Sequence, residues 1–402
     1  MSLAEAVGRV KKSMDSELEQ AQRRKHPQGW EPHVEMVGDK ATAVSEPTTD
    51  PDPKEQDLVL GWGFDPDVWH VVGKINCRKW MTYDERWLYY YKADLERIDP
   101  SNHADVERLY QRIRSKRPKV ELPTGELTFL LLIGDSQIGK GEGGGSPVIV
   151  ENWLSSLDGQ ILQLKMLRKA GFRIGRIVIG FMGDMAESCD GNYPSQAFTT
   201  DLTAREQDSV LQELIYETLA KLAGLAEMVD IITVPGNHGE NRRDGKAFTT
   251  PSDNRDVAVV ETVHRGIRRN ENHAFDHVRF LYPAGEDLTV CVDLSGVHAA
   301  FAHGHQFRGG ASPAQKATAW WKDQAHGMTA VGDAEMLFTG HYHHLVVNQS
   351  GRKTHIQVPS LDCGSKWWEN MTAQVSPPGM VSMVVGEGIG PAACGWDNLR
   401  VC

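Results

Sequence analysis

Continuous apolar runs alternate with amphipathic stretches through the last two-thirds of the chain. Leu127–Ile133 is apolar at nearly every position, the pattern of a strand buried on both faces. Ile177–Phe181 and Ile231–Val234 repeat it. Between the first two, Val150, Leu154, Leu157, Ile161 and Leu164 recur at helical spacing and form one buried stripe. Thr203-Ala-Arg-Glu206 reads as a capping box, opening a helix whose inner face carries Val210, Leu214 and Leu222. Another helix is expected over Asp256–Arg269. Strand and helix in alternation predict an α/β region, with the loops after successive strands gathered at one edge of the sheet. The pattern then turns hairpin-like. Leu288–Leu294 and Val297–Ala302 flank Ser295-Gly296, His344–Asn348 and Thr354–Val358 flank Ser350-Gly351, and Met336–Phe338 is one further short strand. No internal repeat is visible.

The first third reads differently. Residues 1–57 are expected as a largely disordered tail, with at most one charged helix near Ala4–Arg24, because a run such as Ser45-Glu-Pro-Thr-Thr-Asp-Pro-Asp-Pro cannot bury enough apolar surface to offset its ordering entropy. Residues 58–98 form a small β-rich module punctuated by Trp62, Trp69, Trp80 and Trp87. Its aromatics, with Lys74, Arg78 and Lys79, either build a small core or stack on bases. Residues 99–125 read as a basic linker, Arg112 to Lys119 being either a solvated helix end or a phosphate contact. Residues 126–402 form the catalytic region.

Composition narrows the function. The net charge of −11 over 402 residues excludes a global attraction to nucleic acid or anionic membrane, so a polyanion must be met by a local patch. Six cysteines are scattered singly, which favours reduced thiols. No signal-peptide core and no apolar stretch long enough for a bilayer is present, and the expectation is a cytoplasmic protein without a membrane partner.

Five segments, each just after an apolar run, carry metal-ligand residue types. They are Gly134-Asp135-Ser136-Gln137, Gly183-Asp184, Gly236-Asn237-His238, His303-Gly304-His305 and Gly340-His341-Tyr342-His343. Carboxylates, an amide carbonyl and imidazoles form the mixed oxygen and nitrogen set that suits Mn, Fe or Zn. Two ions a few ångströms apart need a bridging carboxylate, and Asp184 is the natural one. Gly134 to Lys140 also matches most of a phosphate-cradling loop, but Gly141 stands where that loop needs Ser or Thr. Lys140 and the glycines through Gly145 are instead expected to make a mobile rim beside the metals.

In order and spacing these segments resemble the calcineurin-like metallophosphoesterases, from about Leu127 to the C-terminus. The resemblance implies a two-sheet β-sandwich flanked by helices and two divalent metal ions, most readily Mn, with Fe, Zn or Mg as alternatives. It implies Asp135 and His343 on the first metal, Asp184 as the bridge, Asn237, His303 and His341 on the second, and His238 as the catalytic histidine beside the phosphate. Two positions depart from the pattern. Gln137 stands where the family usually has histidine, and it either ligates a harder metal, holds a water, or leaves that site half empty. Gly239 separates His238 from Glu240, the carboxylate expected to reach back and orient that histidine. Arg242 and Arg243 in the following loop are candidate phosphate contacts, with Lys246 and Arg308 as possible companions. The segment also resembles repair-nuclease-like phosphoesterases carried by bacteriophages. The expected activity is therefore metal-assisted hydrolysis of a phosphodiester, with DNA as substrate and partner. The alternatives are a small-molecule nucleotide phosphodiesterase or phosphatase, and a non-catalytic phosphate or nucleic-acid binder.

Overall fold

A computed structural model describes residues 26–27, 29–66, 68–82, 86–97, 106–119, 121–243, 245–362, 364, 369–370, 376–388 and 400–402. The charged helix expected near Ala4–Arg24 lies outside them. The chain divides into two compact units, Met1–Asp99 and Pro100–Cys402.

The first unit holds strands β1 (His33–Val37), β2 (Lys40–Val44), β3 (Trp69–Met81) and β4 (Trp87–Arg97), with a helix over Glu55–Gly61. They form one antiparallel sheet in the order β1-β2-β4-β3. The presence of β1 and β2 corrects the expectation of disorder through residue 57. Gly38-Asp39 closes a two-residue hairpin with Gly38 at φ +61°, and Ala41, Ala43 and Val44 of β2 alternate onto the sheet's buried face or its end. The polar run after Ser45 had masked this short, regular hairpin. Trp62, Leu58 and Val59 pack with Tyr91, Ala93 and Leu95, and Trp69 and Tyr89 lie against them, so most of the module's aromatics form its core. Trp87 is an exception: it is 43% exposed, with the Lys79 ammonium 4.0 Å from its ring centre.

In the second unit, β5 (Leu127–Ile133), β6 (Ile174–Phe181), β7 (Met228–Thr233), β10 (Val278–Leu281), β16 (Val381–Val385) and β17 (Arg400–Val401) make a sheet in the order β10-β7-β6-β5-β16-β17. The four strands from β10 to β5 run parallel, while β16 and β17 are antiparallel additions. A second sheet joins β11 (Thr289–Leu294), β12 (Val297–Ala302), β13 (Met336–Thr339), β14 (Val346–Ser350) and β15 (Lys353–Gln357) in the order β11-β12-β13-β15-β14. The two-residue strands β8 (Arg242–Arg243) and β9 (Lys246–Ala247) pair with each other.

Strand alternation sends successive side chains to different layers. Phe129, Leu131 and Ile133 of β5 join a core made with helices Gly145–Lys169, Ala204–Leu222 and Arg255–Ile267 through Trp153, Leu157, Leu214 and Val263. Leu130 and Leu132 face the opposite way and share a cluster with Val290, Phe301, Phe338 and Ile356 of the second sheet. Ala300, Ala302 and Leu337 on that sheet's other face pack under Ala317 and Trp321 of helix Pro313–His326. Each such fully buried Leu, Ile or Phe contributes about 1.5–3 kcal/mol relative to exposure. The capping box at Thr203 and Glu206 is present, with Glu206 Oε2 accepting from Thr203 N at 2.7 Å.

The basic linker is corrected. Val106–Ser115 is a helix whose Leu109 and Ile113, one turn apart, enter the main core. Arg112 is buried, and its guanidinium donates to Glu213 and Glu217 at 2.8 Å each, so it is an internal ion-pair partner rather than a phosphate contact. Among the described residues no helix is long and apolar enough to cross a membrane.

Candidate metal centre

The parallel strands β5, β6 and β7 all end at the same edge, so their following loops bring Asp135, Asp184 and Asn237-His238 together. The parallel pair β12 and β13 delivers His303 and His341 from the second sheet. Backbone strain concentrates here. Asp135, Gln137, Asp184, His341 and His343 all have φ between +45° and +77°, a left-handed conformation that costs non-glycine residues roughly 1–3 kcal/mol each. The preceding glycines are a packing requirement. A Cβ on Gly236 would lie 2.2 Å from Asp184 Oδ1, and one on Gly340 would lie 2.6 Å from Asp135 Oδ2.

Hydrogen bonds hold these loops in place. Buried Asp256, in the first turn of helix Arg255–Ile267, accepts from Asp184 N and Met185 N at 2.9 Å each and from Gly236 N at 3.0 Å. One carboxylate thereby fixes the loops after both β6 and β7. Asn254, which caps the same helix, donates to Gly236 O at 2.8 Å. Asp135 accepts from His341 N at 3.0 and 2.9 Å, tying the two sheets' loops together.

Donor atoms of Asp184, His303 and His341 lie within 4.8 Å of one another. His303 is wholly buried. Its Nδ1 faces Met182 O at 2.7 Å, and this directs Nε2 toward Asp184 Oδ2 at 3.0 Å and Asn237 Oδ1 at 3.2 Å. A backbone carbonyl on the far nitrogen is the usual support of a metal-binding imidazole. Burial disfavours charge on His303, but the Asp184 carboxylate overrides it and pushes the imidazole up to about 10. Burial also opposes charge on Asp184, yet His303 and His238 hold its carboxyl far below the usual range. His341 goes the other way, down to about 3, through burial and the neighbouring positive His303. Asp135 is pushed up to about 6 by burial, against the pull of His343. A buried set of two carboxylates, an amide oxygen and imidazoles fits a divalent cation, which would take the place of the His303 proton.

His238 lies beside this set. Its N–H donates to Asp184 Oδ1 at 2.7 Å, and its Nδ1 sits 2.9 Å from Glu187 O and 3.4 Å from Glu187 Oε2. Burial is outweighed by Asp184 and Glu187, which carry the imidazole up to about 9. Glu187 thus orients His238, through its backbone carbonyl at 2.9 Å and with its carboxylate 3.4 Å from Nδ1, the carboxylate being held by Tyr193 Oη at 2.5 Å. This corrects the role expected of Glu240. With Gly239 inserted, Glu240 instead accepts from Arg242 Nε at 2.9 Å and lies 3.6 Å from His305 Nε2. Arg242 is accordingly engaged with that carboxylate, and Arg243 is exposed on β8. Arg308 donates to His305 O at 2.6 Å.

The first-metal set is less closed. His343 Nε2 is 3.6 Å from Asp135 Oδ1, and Gln137 Oε1 accepts from Lys140 Nζ at 3.2 Å. Lys140 also pairs with Asp362, so the expectation of a mobile rim there is corrected: its ammonium is anchored on two sides. Glu187, Asp256, Asn254 and Asp362 were missed by sequence reasoning. For Glu187 the signal available was its place three residues after Asp184 in the same loop; the others come from distant segments.

No protein-family model matches the chain, and neither does any curated protein. Solved structures do resemble it at low similarity. A conserved uncharacterised protein of Streptococcus pneumoniae TIGR4, described as a predicted phosphoesterase, is 11% identical over 64% of this chain and 83% of its own, with a TM-score of 0.26. Wild-type Vps29 of Entamoeba histolytica, solved with zinc, is 14% identical over 63% and 84%, with a TM-score of 0.29. A protein described as a novel archaeal phosphodiesterase is 9% identical over 68% and 98%, with a TM-score of 0.29. Likeness at this level establishes neither family nor activity.

Proposed function

We propose that this chain is a metal-dependent hydrolase of phosphoesters, its two larger sheets forming the sandwich of a calcineurin-like metallophosphoesterase. The observation that carries the reading is the convergence of Asp184, His303 and His341 within 4.8 Å, at the common edge of two sheets, with His238 held alongside by Glu187. Asp184, Asn237, His303 and His341 would hold a divalent ion, a mixed oxygen and nitrogen donor set that suits Mn, Fe or Zn, of which we take Mn. When bound, such an ion neutralises phosphate charge and makes a coordinated water acidic enough to serve as nucleophile near neutrality.

The chain's own groups do the rest. Glu187 fixes the His238 ring through Nδ1, which leaves Nε2 to meet the substrate. From there it donates a proton to the leaving oxygen or stabilises the charge that develops on it. Gln137 lies within 3.5 Å of that Nε2 and limits the directions it can face. Buried Asp256 keeps Asp184 and the His238 loop in register, so ligand and proton donor approach the phosphate from fixed positions.

The substrate class we assign is a nucleic-acid phosphodiester. Support comes from exposed Arg243 in the loop following His238 and, within the first unit by itself, from the exposed Trp87 with the Lys79 ammonium over one face, the aromatic and cationic side-chain types that single-strand binders use. The test is a Mn²⁺-supplemented panel of bis-p-nitrophenyl phosphate, p-nitrophenyl phosphate, and single- and double-stranded DNA. Turnover of diester and DNA above monoester, lost in His238→Asn, is expected. Turnover of monoester alone would move the assignment to a phosphatase, and silence on all four substrates with metal bound would leave only a binding role.

A further inference from the structure

The residues assigned to a first metal are Asp135, Gln137, Asp184 and His343, and a lysine already stands among them. Lys140 Nζ donates to Gln137 Oε1 at 3.2 Å and forms an ion pair with Asp362. The other oxygen of Asp362 lies 3.6 Å from His343 Nδ1, and His343 Nε2 lies 3.6 Å from Asp135 Oδ1. The Lys140 side chain is only 13% exposed and that of Asp362 3%. This is a built position rather than a drifting surface cation. Lys140 N bonds Gln137 O at 3.0 Å, the neighbouring Gly139 packs against Gln207 so closely that a Cβ would lie 2.3 Å from Nε2, and Asp362 is held by Ser360.

Gln137 matches this arrangement. Its carbonyl oxygen accepts from the ammonium. An oxygen engaged by an ammonium is a poor metal ligand, and a divalent ion placed among the same donors would meet like charge. Among the described His, Cys, Asp and Glu residues, the convergent ligand set is the one on the other side, Asp184 with His303 and His341.

We propose that this chain carries one divalent ion, held by Asp184, Asn237, His303 and His341, and that Lys140 supplies the second positive charge of the site. The proposal rests on the hydrolase reading above and deepens it. An ammonium meets phosphate oxygens as a point charge, so Lys140 would bind the substrate's phosphate where a second ion otherwise does.

Metal stoichiometry tests this without reference to turnover. The full chain, stripped of metal, is titrated calorimetrically with Mn²⁺, and bound metal is counted by elemental analysis after gel filtration. Wild type is expected to bind about one ion per chain, and the double variant Gln137→His, Lys140→Ala about two, since imidazole replaces the amide and the competing charge is gone. Two ions in wild type, or one in both proteins, overturns the role given to Lys140 and leaves the hydrolase reading standing. No ion in wild type sinks the hydrolase reading itself. As a second measurement, inorganic phosphate titrated into the Mn²⁺-loaded protein is expected to bind at least about ten-fold more weakly to Lys140→Gln, the scale of one lost charged hydrogen bond. Unchanged phosphate affinity would refute the lysine's part in binding.

Discussion

Asp256 is the residue whose replacement most sharply tests how this site is held. Its Oδ1 accepts one backbone N–H, from Met185, and its Oδ2 accepts two, from Asp184 and Gly236, all at 2.9–3.0 Å and all buried. Asp256→Asn conserves shape but keeps a single acceptor oxygen. Whichever way the amide turns, its NH₂ faces at least one N–H, so a buried donor loses its partner and the remaining bonds lose their charge. A hydrogen bond to a charged group is worth about 1.5–3 kcal/mol, and a stranded buried donor costs about 1–3 kcal/mol. Allowing for local relaxation, opening of these loops should become easier by about 2–4 kcal/mol. The chain has two compact units, so a single global unfolding free energy is a poor readout. Native-state hydrogen exchange at Asp184, Met185 and Gly236 reads the effect directly, and 2–4 kcal/mol corresponds to a loss of protection of roughly 30- to 1,000-fold. Mn²⁺ affinity should fall by about 10- to 100-fold, because Asp184 is held at φ +49° by these bonds. Wild-type protection at all three amides, with wild-type metal affinity, would refute the idea that Asp256 organises the centre.

Three further outcomes are expected. Arg112→Ala removes the guanidinium from buried Glu213 and from Glu217, which keeps Lys221 at 3.7 Å, and should destabilise the second unit by up to about 3–5 kcal/mol in urea unfolding, with any affinity for DNA unchanged; a loss of that affinity at intact stability would restore the phosphate-contact reading. His355 is buried, its Nε2 beside Thr339 Oγ1 at 2.9 Å, and burial pushes it down to about 4. The unfolded chain therefore takes up that proton first, and stability present above pH 6.5 falls as pH drops toward 4, by about 3 kcal/mol in all. Acid titration of stability should show a loss smaller by about that amount in His355→Gln than in wild type, and identical pH profiles would exclude His355 as a source. Glu187→Gln should lower kcat by roughly 10- to 100-fold with metal content unchanged, since it orients His238 without touching the ligands, and a fall in bound metal would contradict that division of labour.

What the chain declares on its own is whatever depends on local order. The run Leu127–Ile133 could only be a strand buried on both faces, and it is one, residue for residue. The Thr203–Glu206 cap and the Ser295-Gly296 hairpin were equally legible, because caps and tight turns are set by a few adjacent residues, here with Ser295 and Gly296 both at positive φ. The residue types proposed as ligands stand out in the sequence because each follows such an apolar run, and the structure brings Asp184, His303 and His341 within 4.8 Å. Burial and partner choice could not be read. Arg112 looked like surface charge until two glutamates a hundred residues away enclosed it. Glu240, adjacent in sequence to the His238 segment, yielded to Glu187 from another loop, because one inserted glycine redirects a short loop while the strand order sets which loops meet. Asp256 and Asp362 carry no local signature at all. They act through hydrogen bonds and charge pairs with segments far along the chain, and such contacts exist only once the strand edges of the two sheets have brought those segments together.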